Sequence, residues 1–99
     1  MGGAITIHAG KVVFMRCAFI GCRLNTPELA SNGGGAINVL GNEGDWDVEV
    51  HDTLFWNNSA ANKGGAIHIE GFATFLHRFA SYNSTYIGNS ARLGGAIYI

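Results

Sequence analysis

The tetrapeptide Gly-Gly-Ala-Ile occurs four times in 99 residues, starting at Gly2, Gly34, Gly64 and Gly94, with steps of 32, 30 and 30. Repetition at this period constrains the fold strongly, because each copy is a unit that covers its apolar face only by stacking on the next. The copies divide the chain into repeats 2–33, 34–63 and 64–93 and a partial one, 94–99, read as one unit over 1–99. Each Gly pair leads into an alternating triplet: Ile5-Thr6-Ile7, Ile37-Asn38-Val39, Ile67-His68-Ile69 and Ile97-Tyr98-Ile99. A period of two predicts a short strand. Ile5, Ile37, Ile67 and Ile97 then stack inward, and Thr6, Asn38, His68 and Tyr98 form a column on the outside. The pairs Gly2-Gly3, Gly34-Gly35, Gly64-Gly65 and Gly94-Gly95 supply the positive φ and close backbone approach that a corner needs.

A second pattern lies further along each repeat. Val12-x-Phe14, Val48-x-Val50 and Phe79-x-Ser81 precede the aromatic residues Phe19, Phe55 and Tyr86, and three positions later come Cys22, Asn58 and Asn89. This predicts a second strand, a bend, and a short third strand or turn. Asn58 and Asn89 are expected to stack at one corner with their amides bonded to backbone, and Cys22 to fill the same place as a small buried residue. Ile20, Trp56 and Ile87, each following the aromatic, form a column expected in the core. Identical sequence at a fixed interval pairs most simply like on like, which makes the strands parallel. The expected fold is all-β, a right-handed parallel β-helix of about three coils plus the first strand of a fourth. Residues 23–32, 42–45 and 71–78 are predicted to be a loop, a turn and a bulged corner.

Composition narrows the functions. Charged residues make up 13% of the chain, Gly accounts for 15 residues, and the formal net charge is −1. Little charge with much Gly fits tight turns joining buried strands, not disorder. The six Lys and Arg are scattered, so no basic face for nucleic acid forms. No apolar run approaches the ~20 residues of a membrane-spanning helix, and no basic-then-apolar leader is visible. Edge strands at both ends predict self-association.

The recurring Gly-Gly-Ala-Ile, with aromatic-x-x-Asn at Phe55 to Asn58 and Tyr86 to Asn89, resembles the repeat of chlamydial polymorphic membrane proteins. The resemblance implies a β-helical passenger of autotransporter type, at the outer membrane or cell surface or secreted as part of a longer protein. It implies a structural or adhesive role towards a host-cell or other surface protein or glycan. Cys22 in place of Asn and Tyr86 in place of Phe depart from the pattern.

Candidate chemistry is thin. Glu43, Asp45, Asp47 and Glu49 alternate with Gly44, Trp46, Val48 and Val50, which puts four carboxylates on one side of a strand. Such a row offers oxygen ligands to Ca²⁺, but a solvated outer face is the plainer expectation. A carbohydrate-active enzyme, either lyase or glycoside hydrolase, would need converging carboxylates; His68 and Glu70 alone do not make that site. His8, His51, His68 and His77 show no metal-ligand spacing. Ice binding would want a flat column of Thr, where this one reads Thr, Asn, His, Tyr. The expectation is a non-catalytic module with no cofactor and no metal.

Overall fold

A computed structural model describes residues 4–24, 33–41, 43–70 and 76–99. Among them every named element is a β-strand. The first repeat supplies β1 (Ile5–Ile7), β2 (Gly10–Met15), β3 (Ala18–Ile20) and β4 (Arg23–Leu24). The second supplies β5 (Ile37–Val39), β6 (Trp46–His51), β7 (Leu54–Trp56) and β8 (Ser59–Ala60). From the third and fourth come β9 (Ile67–Ile69), β10 (His77–Tyr82), β11 (Thr85–Ile87) and β12 (Ile97–Tyr98).

Each sheet collects equivalent strands from successive repeats. Sheet A runs β1-β5-β9-β12, sheet B β10-β6-β2, sheet C β11-β7-β3 and sheet D β4-β8. All pairs are parallel. In sheet A, Ile5, Ile37, Ile67 and Ile97 lie opposite one another. Phe19, Phe55 and Tyr86 align in sheet C, with rings stacked 5.1 and 4.8 Å apart and nearly parallel. The sheets share one core, built from Ile7, Phe14, Ile37, Val39, Trp46, Val48, Val50, Phe55, Ile67 and Ile69. Burying each large side chain of this kind contributes roughly 1.5–3 kcal/mol. The central repeat is covered on both sides and holds the most deeply buried members, while Ile5 and Ile97 at the ends are half-buried.

The Gly pair has two separate jobs. Gly34, Gly64 and Gly94 have φ of 76°, 61° and 61°, the left-handed region. Gly35 and Gly65 are needed for space: a Cβ on either would meet the carbonyl of the next repeat's second Gly at 2.2 or 2.1 Å. Gly2 and Gly3 lie outside the described residues.

Three expectations require correction. The middle residues of the sheet A triplets do not form an outside column, since Asn38 is 0% and His68 1% exposed. The segment leading into each Gly pair runs over them. Gly33, Lys63 and Leu93 form a bridged row of their own, and a Cβ on Gly33 would strike the His68 ring carbon Cγ at 2.6 Å. Lys63 Nζ sits 5.1 Å over the Tyr98 ring. The alternation separated two faces correctly, but it could not show that the chain covers both.

The second correction concerns the loop expected over 23–32. Arg23 and Leu24 form β4, paired with Ser59 and Ala60; residues 25–32 lie outside the described residues. Third, His77 and Arg78, expected within a bulged corner, open β10 opposite Trp46 and Asp47; residues 71–75 are again outside. Of the turn over 42–45, Glu43 and Gly44 are bends and Asn42 is not described.

Covering makes His68 a pH-sensitive position. Its Nδ1–H donates to Asn38 Oδ1 at 2.9 Å. Burial lowers its pKa, Glu70 pulls it up, and Lys63 pushes it further down. The unfolded chain therefore takes up a proton near pH 6.5 that the folded chain refuses, so stability is full above that pH and falls as pH drops below it. The melting temperature is expected to decline between pH 7 and 5, and His68→Gln to flatten that decline. An unchanged slope in the variant would show that His68 does not titrate with unfolding.

Candidate binding face

Two corners connect the sheets, and each carries a ladder of side chains. At the second corner Asn58 is fully buried. Its Oδ1 accepts from the Cys22 amide at 2.9 Å, and its Nδ2 donates to the Phe19 carbonyl at 3.0 Å and to Asn89 Oδ1 at 2.9 Å. Asn89 repeats the arrangement one step on: its Oδ1 accepts from the Asn58 amide at 3.0 Å, and its Nδ2 donates to the Phe55 carbonyl at 3.0 Å. Gly21, Asn57 and Gly88 precede these three residues with φ of 66°, 56° and 65°, so the chain turns there in the left-handed region.

The first corner carries a hydroxyl ladder that the sequence reading missed. Arg16, Asp52 and Asn83 turn it with φ of 51°, 50° and 49°. Next come Cys17, Thr53 and Ser84. The Cys17 amide donates to Thr53 Oγ1 at 3.4 Å, and the Thr53 amide to Ser84 Oγ at 3.2 Å. Thr53 and Ser84 hydroxyls each donate to the carbonyl two residues back, and the Cys17 thiol does the same to Met15 at 3.3 Å. Hydroxyl residues two places before Phe55 and Tyr86 were the available signal. Both cysteines are free and half-buried, and each stands in a ladder position of the first repeat.

Between the two corners, sheet C turns an apolar column outward. Ile20, Trp56 and Ile87 align across sheet C and are 56%, 44% and 53% exposed, not core as expected. The reason is the strand period: the aromatic one place earlier points inward, so its neighbour must point out. On the adjoining sheet, Met15, His51 and Tyr82 align as a second outward column, with the His51 and Tyr82 rings stacked at 4.8 Å. Each column is three residues long, one from each repeat.

The acidic row is divided among separate partners. Arg78 bridges Glu49 and Asp47, the latter at 3.1 Å, while His51 Nε2 lies 2.9 Å from Glu49. The bond from His51 and then those from Arg78 hold the Glu49 carboxyl below its usual range. Asp45 accepts from the Leu76 amide at 2.9 Å, and Glu43 lies 3.4 Å from His8. A groove beside Trp46 is lined by Lys11, Asp47, His77 and Arg78; within it Arg78 bridges Asp47 and the His77 ring stacks on Trp46 at 5.2 Å. Among the described residues no three His, Cys, Asp or Glu side chains gather into a metal-sized cluster. In the pair His68 and Glu70, the His68 Nδ1 is engaged by Asn38 Oδ1.

The architecture is that of a repeat protein of stacked parallel strands. Residues 52–70 match the sequence profile of the Chlamydia polymorphic membrane protein repeat. The match contains both Phe55-x-x-Asn58 and Gly64-Gly65-Ala66-Ile67, the motifs on which the resemblance rests. It spans one repeat unit's motifs, so it identifies that stretch and not the chain as a whole. No curated protein and no solved structure matches the sequence.

Proposed function

We propose that the chain is a section of right-handed parallel β-helix, three coils plus the first strand of a fourth, acting as a non-catalytic adhesive module of a surface-exposed or secreted protein. The four stacked sheets and the strand-per-repeat order support the helix, since parallel crossovers in one sheet are right-handed almost without exception. The polymorphic membrane protein repeat at 52–70 supports a place at the outer membrane or cell surface. The exposed Ile20–Trp56–Ile87 stripe carries the adhesive reading. An apolar column standing in water gains nothing for the fold, and rigid aromatic groups of this kind anchor protein and glycan partners.

Adhesion to cultured epithelial cells by beads coated with the chain tests it. Trp56→Ser is expected to leave the melting temperature within about 2–4 °C, because the side chain is outside the core, and to reduce adhesion roughly fivefold. Adhesion unchanged in a folded variant would remove the stripe from the account.

A further inference from the structure

On the side of sheet A away from the isoleucines lies a closed polar layer. Asn38 and His68 stand in it at 0% and 1% exposure, and Tyr98 aligns beyond them with its ring 5.8 Å from that of His68. The row Gly33, Lys63 and Leu93 covers them. This cover is held by the Gly34 amide on the Lys63 carbonyl, the Gly64 amide on the Leu93 carbonyl and the Leu93 amide on the Asn62 carbonyl, each at 2.9 Å. Arg92 Nη2 adds a bond to Asn62 Oδ1 at 3.0 Å. Sheet A has bonds of its own, from the Ile37 amide to the Ala66 carbonyl and from the Ile67 amide to the Ala96 carbonyl. Left-handed turns at Gly34, Gly64 and Gly94 part the two layers, so the cover can lift while the strands stay paired.

Two features of the layer work against closure. Asn38 Nδ2 is buried without a hydrogen-bond partner among the described residues, and water would supply one on opening. His68 Nδ1–H is met by Asn38 Oδ1, but a protonated ring carries a second N–H and a full charge. The charged groups of the layers around it are Lys63 and Arg92 on the cover and Glu70 just past β9. Lys63 Nζ, 5.1 Å over the Tyr98 ring, is a like charge. Burial keeps the imidazole neutral by lowering its pKa; Glu70 opposes this and Lys63 adds to it. We propose that His68 is a proton-operated latch: a charge on its ring lifts the Lys63 and Leu93 cover and opens the polar layer, while the four-stranded sheet beneath stays paired. Local opening of this kind lies below global unfolding in free energy. The device is independent of the adhesive reading, because the Ile20–Trp56–Ile87 stripe belongs to sheet C.

Amide hydrogen exchange on the full chain, followed by NMR at about pH 7.5 and about pH 5.5, brackets the ~6.5 of a free imidazole and tests the proposal. The quantity read is the protection factor, which is free of the intrinsic pH dependence of exchange. The opened layer accepts a proton that the closed one refuses. Protection of the Gly64 and Leu93 amides should therefore fall several-fold, and at most about tenfold, between the two conditions. The Ile37 and Ile67 amides of sheet A should hold theirs. His68→Gln keeps a donor for Asn38 Oδ1 but takes no charge, so its Gly64 and Leu93 amides should be protected equally at both pH values. His68→Asn, the residue that Asn38 places in this column, serves if the Gln chain does not fold; if neither folds, the wild-type comparison of the two amide sets decides alone. Protection of Gly64 and Leu93 that ignores pH overturns the proposal, as does a fall that persists in a folded uncharged variant. An equal fall at Ile37 and Ile67 overturns it as well, because His68 would then meet water only when the whole chain unfolds.

Discussion

Ile67→Asp leaves the chain unfolded. Ile67 has no exposed surface and sits between Ile37 and Ile97 in sheet A, with the core in front of it. An aspartate there places a carboxylate where no donor or cation reaches. A buried charge that loses its water without gaining a partner costs several kcal/mol or more. Whole domains of this size are stable by only about 5–15 kcal/mol. Far-UV circular dichroism should show loss of strand signal at 25 °C. Ile99→Asp provides the contrast: Ile99 is 79% exposed, so that variant should retain its fold. A folded Ile67→Asp chain would mean that sheet A has no covered face at this position.

Asn58→Ala is the second large loss. The side chain satisfies the Cys22 amide and the Phe19 carbonyl and also reaches Asn89 Oδ1. Alanine leaves two backbone groups without partners, at roughly 1–3 kcal/mol each, so a loss of about 2–6 kcal/mol is expected. Denaturant titration reads it directly. Asn89→Ala should cost less, because Asn89 is only half-buried. The double variant should fall short of the sum, since the two amides bond each other. A change within ~0.5 kcal/mol, the range of ordinary surface sites, would place the Asn58 amide in water.

These two positions show what the sequence made legible. Four copies of Gly-Gly-Ala-Ile and the aromatic-x-x-Asn spacing specified parallel pairing of like with like, because pairing like positions is the simplest register identical segments can take. The Asn ladder was readable for the same reason: one polar residue recurred at a corner. Thr53 and Ser84 escaped because the first repeat carries Cys17 in that place, which hid the hydroxyl character of the column. Periodicity also says which side a residue faces but not what lies beyond it. Asn38 and His68 face away from the isoleucines, yet the segment through Gly33 and Lys63 covers them. For Trp56 the error was opposite. Its apolar character pointed to the core, while the strand period beside Phe55 had already turned it outward. Where composition and alternation disagree in a three-residue strand, alternation wins, since the backbone cannot rotate one residue without moving its neighbours.

The most direct test of the stacked parallel architecture is the detection by NMR of scalar couplings across backbone hydrogen bonds. The structure predicts couplings from the Ile37 amide to the Ala66 carbonyl and from the Ile67 amide to the Ala96 carbonyl. In sheet C it predicts one from the Leu54 amide to the Cys17 carbonyl, and at the corners beyond from Asn57 to Ile87. Observing this set, each link one repeat long and all running from one repeat to an adjacent one, would establish the arrangement. Couplings that instead join the strands of a single repeat, or that pair residues in opposite directions along two strands, would contradict it.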